Sequence, residues 1–285
     1  MPTLTHSQHA RKPYRLPEQI ETILVPTDFS EASANAFRYA LDLASRLQAE
    51  IVLAHIYTPA EGSPSKTQSE SFARAFKGYE RAAELSAGPA ELKIRTVLEA
   101  GTASKDLLEI SDEQKADLIV MGTQGAASHD SKPLGSIAAT MIAEAPCPVL
   151  AVPAEASYQA IDQLVYAMAF ASSDQKIIDY LVELSEQLET SLSCVHVSTE
   201  HSDWEDIELE EFRQAFSQGG KTLVRFQMVQ DKDLFHGLQE VISQTKVDLL
   251  VMNTRDRSLF ERFFDPSLTK SMLMYTDLPL LALHV

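Results

Sequence analysis

The stretch of this chain best suited to chemistry is glycine-spaced: Gly122-Thr123-Gln124-Gly125, nine residues, then Gly135-Ser136. It follows directly on the apolar run Leu118 to Met121. A glycine after a strand permits a tight turn and close approach of the backbone to a ligand, and a second can adopt positive φ cheaply. Gly135-Ser136 opens a helical pattern, and amides at a helix N-terminus, where partial positive charge collects, suit a phosphate. By itself such spacing also fits ordinary turn and cap glycines.

Other reactive side chains are scattered. The loop carries His129, Asp130 and Lys132, which have the types needed for proton transfer. Nothing matches the Lys-bearing phosphate loop GxxxxGK[ST] or shows a metal-binding carboxylate pair, so efficient ATP hydrolysis is not expected. No catalytic residue is assigned. His6 and His9 lie in an N-terminal stretch too polar to build a defined metal site. Trp204 among Asp203, Glu205, Asp206, Glu208, Glu210 and Glu211 reads as the start of an exposed helix. Cys147 and Cys194 have no CxxC spacing and read as buried thiols in a reducing, cytoplasmic setting.

The elements that must position the loop come in alternation. Ile23 to Pro26, Ile51 to Ile56, Leu92 to Leu98, Leu118 to Met121 and Val149 to Val152 read as strands. Helical patterns run near Ser30 to Leu47, Glu70 to Ala87, Ala103 to Ala116 and Ser136 to Ala145. Apolar strands alternating with helices argue a parallel, doubly wound α/β sheet with helices on both faces. Ligands on such sheets bind beyond the carboxyl ends of the strands, where the winding switches direction.

The whole pattern occurs twice. His55 and His196 stand at an offset of 141, which also pairs Phe29 with Phe170, Leu43 with Leu184 and Leu47 with Leu188. Asp117 to Met121 matches Asp248 to Met252, and Pro148 to Ala151 matches Pro279 to Ala282, at an offset of 131. The expected organisation is a loose basic arm over 1–19, a first domain over 20–155 and a second over 160–285, each with a five-stranded, mainly parallel sheet.

The loop pattern G-x2-G-x9-G-[ST], together with Val25-Pro26-Thr27-Asp28-Phe29-Ser30 and His55-Ile56, resembles the universal stress protein family, of the adenine nucleotide alpha hydrolase-like superfold. The likeness covers both halves from about residue 20. It implies a tandem, nucleotide-dependent stress-response regulator that binds ATP. Ile56 would meet the adenine through its backbone, and Pro26, Thr27, Asp28, Met121, Gly122 and Gly125 would surround the nucleoside. Gly135, Ser136 and Ile137 would hold phosphates. Asp28 would accept hydrogen bonds from the nucleoside, help hold a divalent cation such as Mg2+, or simply cap the next helix. The family also implies pairing through last strands, here Val149 to Val152 with Leu281 to Val285 in an internal pseudo-dimer, which would hide strand edges. A second copy of the chain and an unidentified protein are further partners the family suggests.

The second copy lacks the loop. Ala167 and Ala169 stand opposite Pro26 and Asp28, and Asn253, Asp256 and Pro266 opposite the three glycines; only Ser267 survives. Asp256 adds negative charge and Pro266 has no amide to donate, so no nucleotide is expected there. Because the histidine persists in both copies while the loop does not, it is expected to pack or to bond locally. Three other readings are a nucleotide-independent scaffold, a slow ATPase and an adenylating enzyme, the last of which would show a Ser-Gly-Gly loop after the first strand instead of Pro26-Thr27-Asp28-Phe29. A net charge of −17 argues against broad binding to nucleic acid or anionic membranes.

Overall fold

The computed structural model describes residues 13–58, 72–79, 81, 92–124, 134–199, 203–216, 224–254 and 277–285. The first half runs β1 (Thr22–Pro26), α1 (Glu31–Leu47), β2 (Glu50–Tyr57), β3 (Ile94–Ala100), α2 (Ala103–Glu113), β4 (Leu118–Gly122), α3 (Ser136–Glu144) and β5 (Val149–Val152). Residues 72–79 are also helical. The second half repeats the order with β6 (Gln163–Ala167), α4 (Asp174–Leu188), β7 (Ser191–Ser198), α5 (Asp203–Phe216), β8 (Val224–Gln230), α6 (Leu234–Gln244), β9 (Leu249–Asn253) and β10 (Leu280–Leu283).

The strands form a ten-stranded sheet in the order β3-β2-β1-β4-β5-β10-β9-β6-β7-β8. Each half supplies five parallel strands. The seam is antiparallel, with Leu280 opposite Ala151, Leu281 opposite Leu150 and Ala282 opposite Val149. Because the seam reverses direction, the carboxyl ends of the two halves' parallel strands point to opposite ends of the sheet. Any two ligand crevices therefore lie far apart.

The inner strands are buried on both faces, with Ile23, Leu24 and Val25 fully enclosed, whereas the edge strands β3 and β8 are half-buried to exposed. On one face α1 and α4 pack together, so that Phe37, Tyr39 and Leu41 share a core with Ile177, Leu181 and Leu249. The opposite face keeps a separate cluster in each half. The repeat extends to the backbone: Phe29 and Gln48 have φ of 62° and 57°, and Phe170 and Glu189, 141 residues on, have 55° and 51°. It extends to polar anchors as well. Asp117 accepts from the amides of Glu21 and Thr22 at 3.0 Å, as Asp248 does from Asp162 and Gln163.

The arm expected over 1–19 is docked from residue 13 onward. Arg15 donates its amide to Pro146 O at 2.9 Å, its guanidinium reaches Asp117 at 3.1 Å, and the Tyr14 ring meets His284 edge-on at 5.9 Å. Residues 1–12, with His6 and His9, lie outside the described residues.

The segment between the halves is held by one stripe of α1. Asn35 donates to Pro153 O at 3.0 Å and Ala156 O at 2.8 Å, Tyr39 donates to Ser157 O at 3.2 Å, and Arg46 bonds Ile161 O and Leu188 O. Asn35 is buried, so Asn35→Ala leaves two enclosed carbonyls without their donor. The variant is expected to lose about 2 kcal/mol of stability, read as a lowered urea midpoint.

Candidate functional site

Strand β1 pairs with β2 on one side and β4 on the other, so the winding switches between β1 and β4. Their carboxyl ends form the crevice where the fold places ligands.

The turn leaving β1 is fixed by its own side chains. Thr27 continues the ladder, its amide donating to Ala54 O at 2.8 Å. Its hydroxyl accepts from the Phe29 amide at 3.1 Å and lies 2.9 Å from Tyr79 Oη and 3.1 Å from Ser33 Oγ. The Thr27 carbonyl accepts from His55 Nδ1 at 2.6 Å, which requires the proton on that nitrogen. Thr27 was expected to face a ligand; its amide, hydroxyl and carbonyl all face the protein instead.

Phe29 occupies the left-handed region, costly for a bulky residue. Its ring is held at 4.6 Å from His55, 5.6 Å from Phe76 and 6.0 Å from Phe72. That reversal leaves Asp28 exposed at the crevice. The Asp28 carboxylate accepts from the Ser30 amide at 3.0 Å and from the Ser30 hydroxyl, while Ser30 Oγ accepts from Ser33 N at 3.2 Å as the N-cap of α1. The N-cap of α1 is therefore Ser30, and Asp28 braces it by accepting from its amide and hydroxyl.

At the end of β4, Met121 is buried and Gly122 half-buried. A Cβ on Gly122 would lie 2.9 Å from the Ala32 carbonyl carbon and 3.0 Å from Ala32 Cβ. The glycine lets the first turn of α1 rest on the strand end. Thr123 then donates to Val152 O at 3.0 Å and accepts from Gly135 N at 2.7 Å. Gly135 was expected to offer its amide to a phosphate. Its amide is instead committed to Thr123, and its φ is −74° as the N-cap of α3. A Cβ there would lie 3.2 Å from Thr123 O, so close approach explains the glycine.

The donors left for an anion are the first-turn amides of Ser136, Ile137 and Ala138, which have no partner four residues back within the helix. Neither an acidic residue in that turn nor a side-chain cap competes for them. Ser136 and Ile137 are exposed. The Thr123–Gly135 bond brings this helix start back to the β4 end, so Pro26, Asp28, Ile56, Met121 and Gly122 gather at the strand ends with Gly135, Ser136 and Ile137 beside them. Gly125, His129, Asp130 and Lys132 lie outside the described residues. Among the described residues no group of three or more His, Cys, Asp or Glu side chains could hold a metal ion.

The packing and local bond expected of His55 are present, while Thr123, Ala32 and the strained Phe29 were missed as determinants of the site. The recurrence of Phe29 and His55 at Phe170 and His196 was the available signal.

The second half keeps the clamp and remakes the crevice. His196 Nδ1 donates to Met168 O at 3.1 Å, and its ring lies 4.2 Å from Phe170. Asp174 replaces Ser33, accepting from Tyr166 Oη at 2.6 Å and from the Ala169 and Ala171 amides at 3.2 and 3.1 Å. Burial raises its pKa above the ordinary carboxylate value, against the pull of those hydrogen bonds. Asn253, in place of Gly122, donates to Ser173 Oγ at 3.1 Å and Val285 O at 3.2 Å. Its side chain stands between helix and strand end where the first half has none. Asp256, Pro266 and Ser267 lie outside the described residues.

The universal stress protein family model matches residues 19–153. A universal stress protein of Methanocaldococcus jannaschii is 34% identical over 140 residues, covering 46% of this chain and 80% of that protein. One from Thermus aquaticus is 34% identical over 137 residues, covering 46% and 98%. The crystal structure of a universal stress protein from Archaeoglobus fulgidus superposes with a TM-score of 0.70 at 17% identity, covering 95% of this chain and 98% of that one. The last likeness concerns the fold and spans both halves.

Proposed function

The chain belongs to the universal stress protein family, and on that premise we propose that its first half binds ATP while its second half carries no nucleotide site. The observation that carries the reading is the paired contrast at the strand ends. In the first half Gly122 and Gly135 permit close backbone contacts, and the start of α3 offers first-turn amides free of acidic neighbours. In the second half Asn253 and the buried Asp174 stand beside the corresponding crevice.

In this reading Ile56 and Met121 flank the nucleoside, and the amides of Ser136 and Ile137 with the Ser136 hydroxyl meet phosphate. Asp28 holds the turn at the rim. ATP is bound rather than consumed, and its occupancy regulates a protein partner. Mg2+ would accompany the phosphates. The cytoplasm is the fitting compartment, since both cysteines are buried and unpaired and burial pushes the Cys147 thiol up to about 12. Among the described residues no helix is long and apolar enough to cross a membrane.

Calorimetric titration of the purified chain with ATP, ADP and AMP, with and without Mg2+, tests the reading. One equivalent of ATP is expected to bind, and Gly135→Val to remove most of the affinity. No binding, two equivalents, or an unaffected Gly135→Val would contradict it.

A further inference from the structure

One helix belongs to both halves. α1 begins at the first crevice, where Ala32 rests on Gly122 and the N-cap Ser30 bonds the Asp28 carboxylate. Its 17 residues carry it about 25 Å to the base of the second half. There the Arg46 guanidinium, oriented by Asp42 at 3.4 Å, donates to Ile161 O at 3.0 Å and to Leu188 O. Leu188 is the last residue of α4. Ile161 directly precedes Asp162 and Gln163, whose amides are tied to Asp248 at 3.0 Å where β6 begins.

The two faces of the sheet differ in how they cross the seam. On the α1 face a single buried core joins Ala40, Leu41 and Leu43 to Ile178, Leu181 and Leu184 of α4. On the other face the helices of each half keep to their own cluster, with Leu107 and Met141 in the first and Leu238 and Val241 of α6 in the second. Separating α4 from α1 exposes apolar surface on both, so the two helices open as one unit. Among the described residues, none of α6 belongs to that shared core.

On the premise that the first crevice binds ATP, we propose that α1 carries the occupancy of that crevice into the second half. A nucleotide bound there suppresses the opening of α4, and with it the release of the segment leading into β6, while α6 is unaffected. A ligand that binds only the closed form lowers the population of every open state in which its site is disrupted, and opening α4 takes α1 with it. The second half, with no nucleotide site of its own, thereby becomes the part of the chain through which a bound nucleotide is read.

Native-state hydrogen exchange of the full chain, with and without ATP, tests the coupling. At about 100 times the Kd found by calorimetry, the amides of Ala40 and Leu43 in α1 are expected to exchange about 100-fold more slowly. Those of Leu181 and Leu184 in α4 slow by the same factor, and those of Leu238 and Val241 in α6 stay within about twofold of the free protein. Arg46→Met keeps an aliphatic stem and removes the donor. That variant is expected to cut the slowing in α4 by about tenfold while the slowing in α1 is retained. ATP that slows α1 but not α4, or α4 and α6 alike, overturns the proposal, as does undiminished slowing of α4 in Arg46→Met. A chain that binds no ATP contradicts the proposed function instead, and Gly122→Ala then decides, since its strain on α1 needs no nucleotide. Exchange quickened in α4 as much as in α1, with α6 unchanged, supports the coupling; unchanged exchange in α4 overturns it.

Discussion

Replacing Gly122 with valine is expected to weaken ATP binding by at least ~100-fold, or about 2.7 kcal/mol, while Asn253→Ala leaves that affinity within about twofold. A first Cβ at Gly122 already falls 2.9 Å from the Ala32 backbone, and backbone cannot rotate away as a flexible side chain can. The first turn of α1 must then lift off the strand end, carrying Ser30 and the Asp28 carboxylate bonded to it. Overpacking of this kind costs about 1–3 kcal/mol in stability, so Gly122→Ala should sit between wild type and valine in both affinity and urea midpoint. Titration of the graded series, with circular dichroism confirming the fold, checks the prediction. Equal ATP affinity in all three proteins would show that the α1 contact does not shape the site.

In the second half the largest expected effect is on stability. Asp174→Ala should cost about 2–3 kcal/mol, because it strips the partner from the fully buried Tyr166 Oη, and a donor left unmade in a buried setting loses about 1–3 kcal/mol; the Ala169 and Ala171 amides, on exposed residues, can turn to water and add less. Asp174→Asn retains an acceptor for the amides and should lose much less. The pH dependence follows from the direction of the Asp174 shift. Its folded pKa lies above the ordinary 3.8, so the folded state holds the proton more tightly than the unfolded chain. The stability this contributes is full below the unfolded pKa and is lost as pH rises through the folded value. Wild type should therefore gain on Asp174→Asn as the pH is lowered through that window. Urea midpoints of both proteins at several pH values measure it, and a gap that widens in the other direction would contradict the assignment.

The fold was legible because its signals are local and doubled. The Leu118 to Met121 and Val149 to Val152 runs are apolar at every position, as strands covered on both faces must be, and each reappears in the second half. Pairing of the last strands was expected from the family resemblance, without its antiparallel direction; nothing in the residues of β5 or β10 alone dictates which edges meet. The site was legible less evenly. Gly122 and Gly135 stand out as residue types, but their reasons are tertiary: one faces Ala32 of a distant helix, and the other bonds Thr123 across the loop. In the turn after β1 positive φ falls on Phe29, a residue type whose side chain argues against it. Only the ring packing from His55, Phe72 and Phe76 makes that conformation affordable, and no short-range pattern encodes such packing. Thr27 was misjudged for the same reason, since the Tyr79 hydroxyl that meets it comes from a helix some fifty residues away.

A crystal structure of the full chain grown with saturating ATP and Mg2+ tests the central claim most directly. Nucleotide is expected at the carboxyl ends of β1 and β4, with phosphate oxygens within hydrogen-bond distance of the Ser136 and Ile137 amides and none beside Asn253. Nucleotide seated against Ala169 and Asn253, with the crevice at Gly122 empty, would contradict the account.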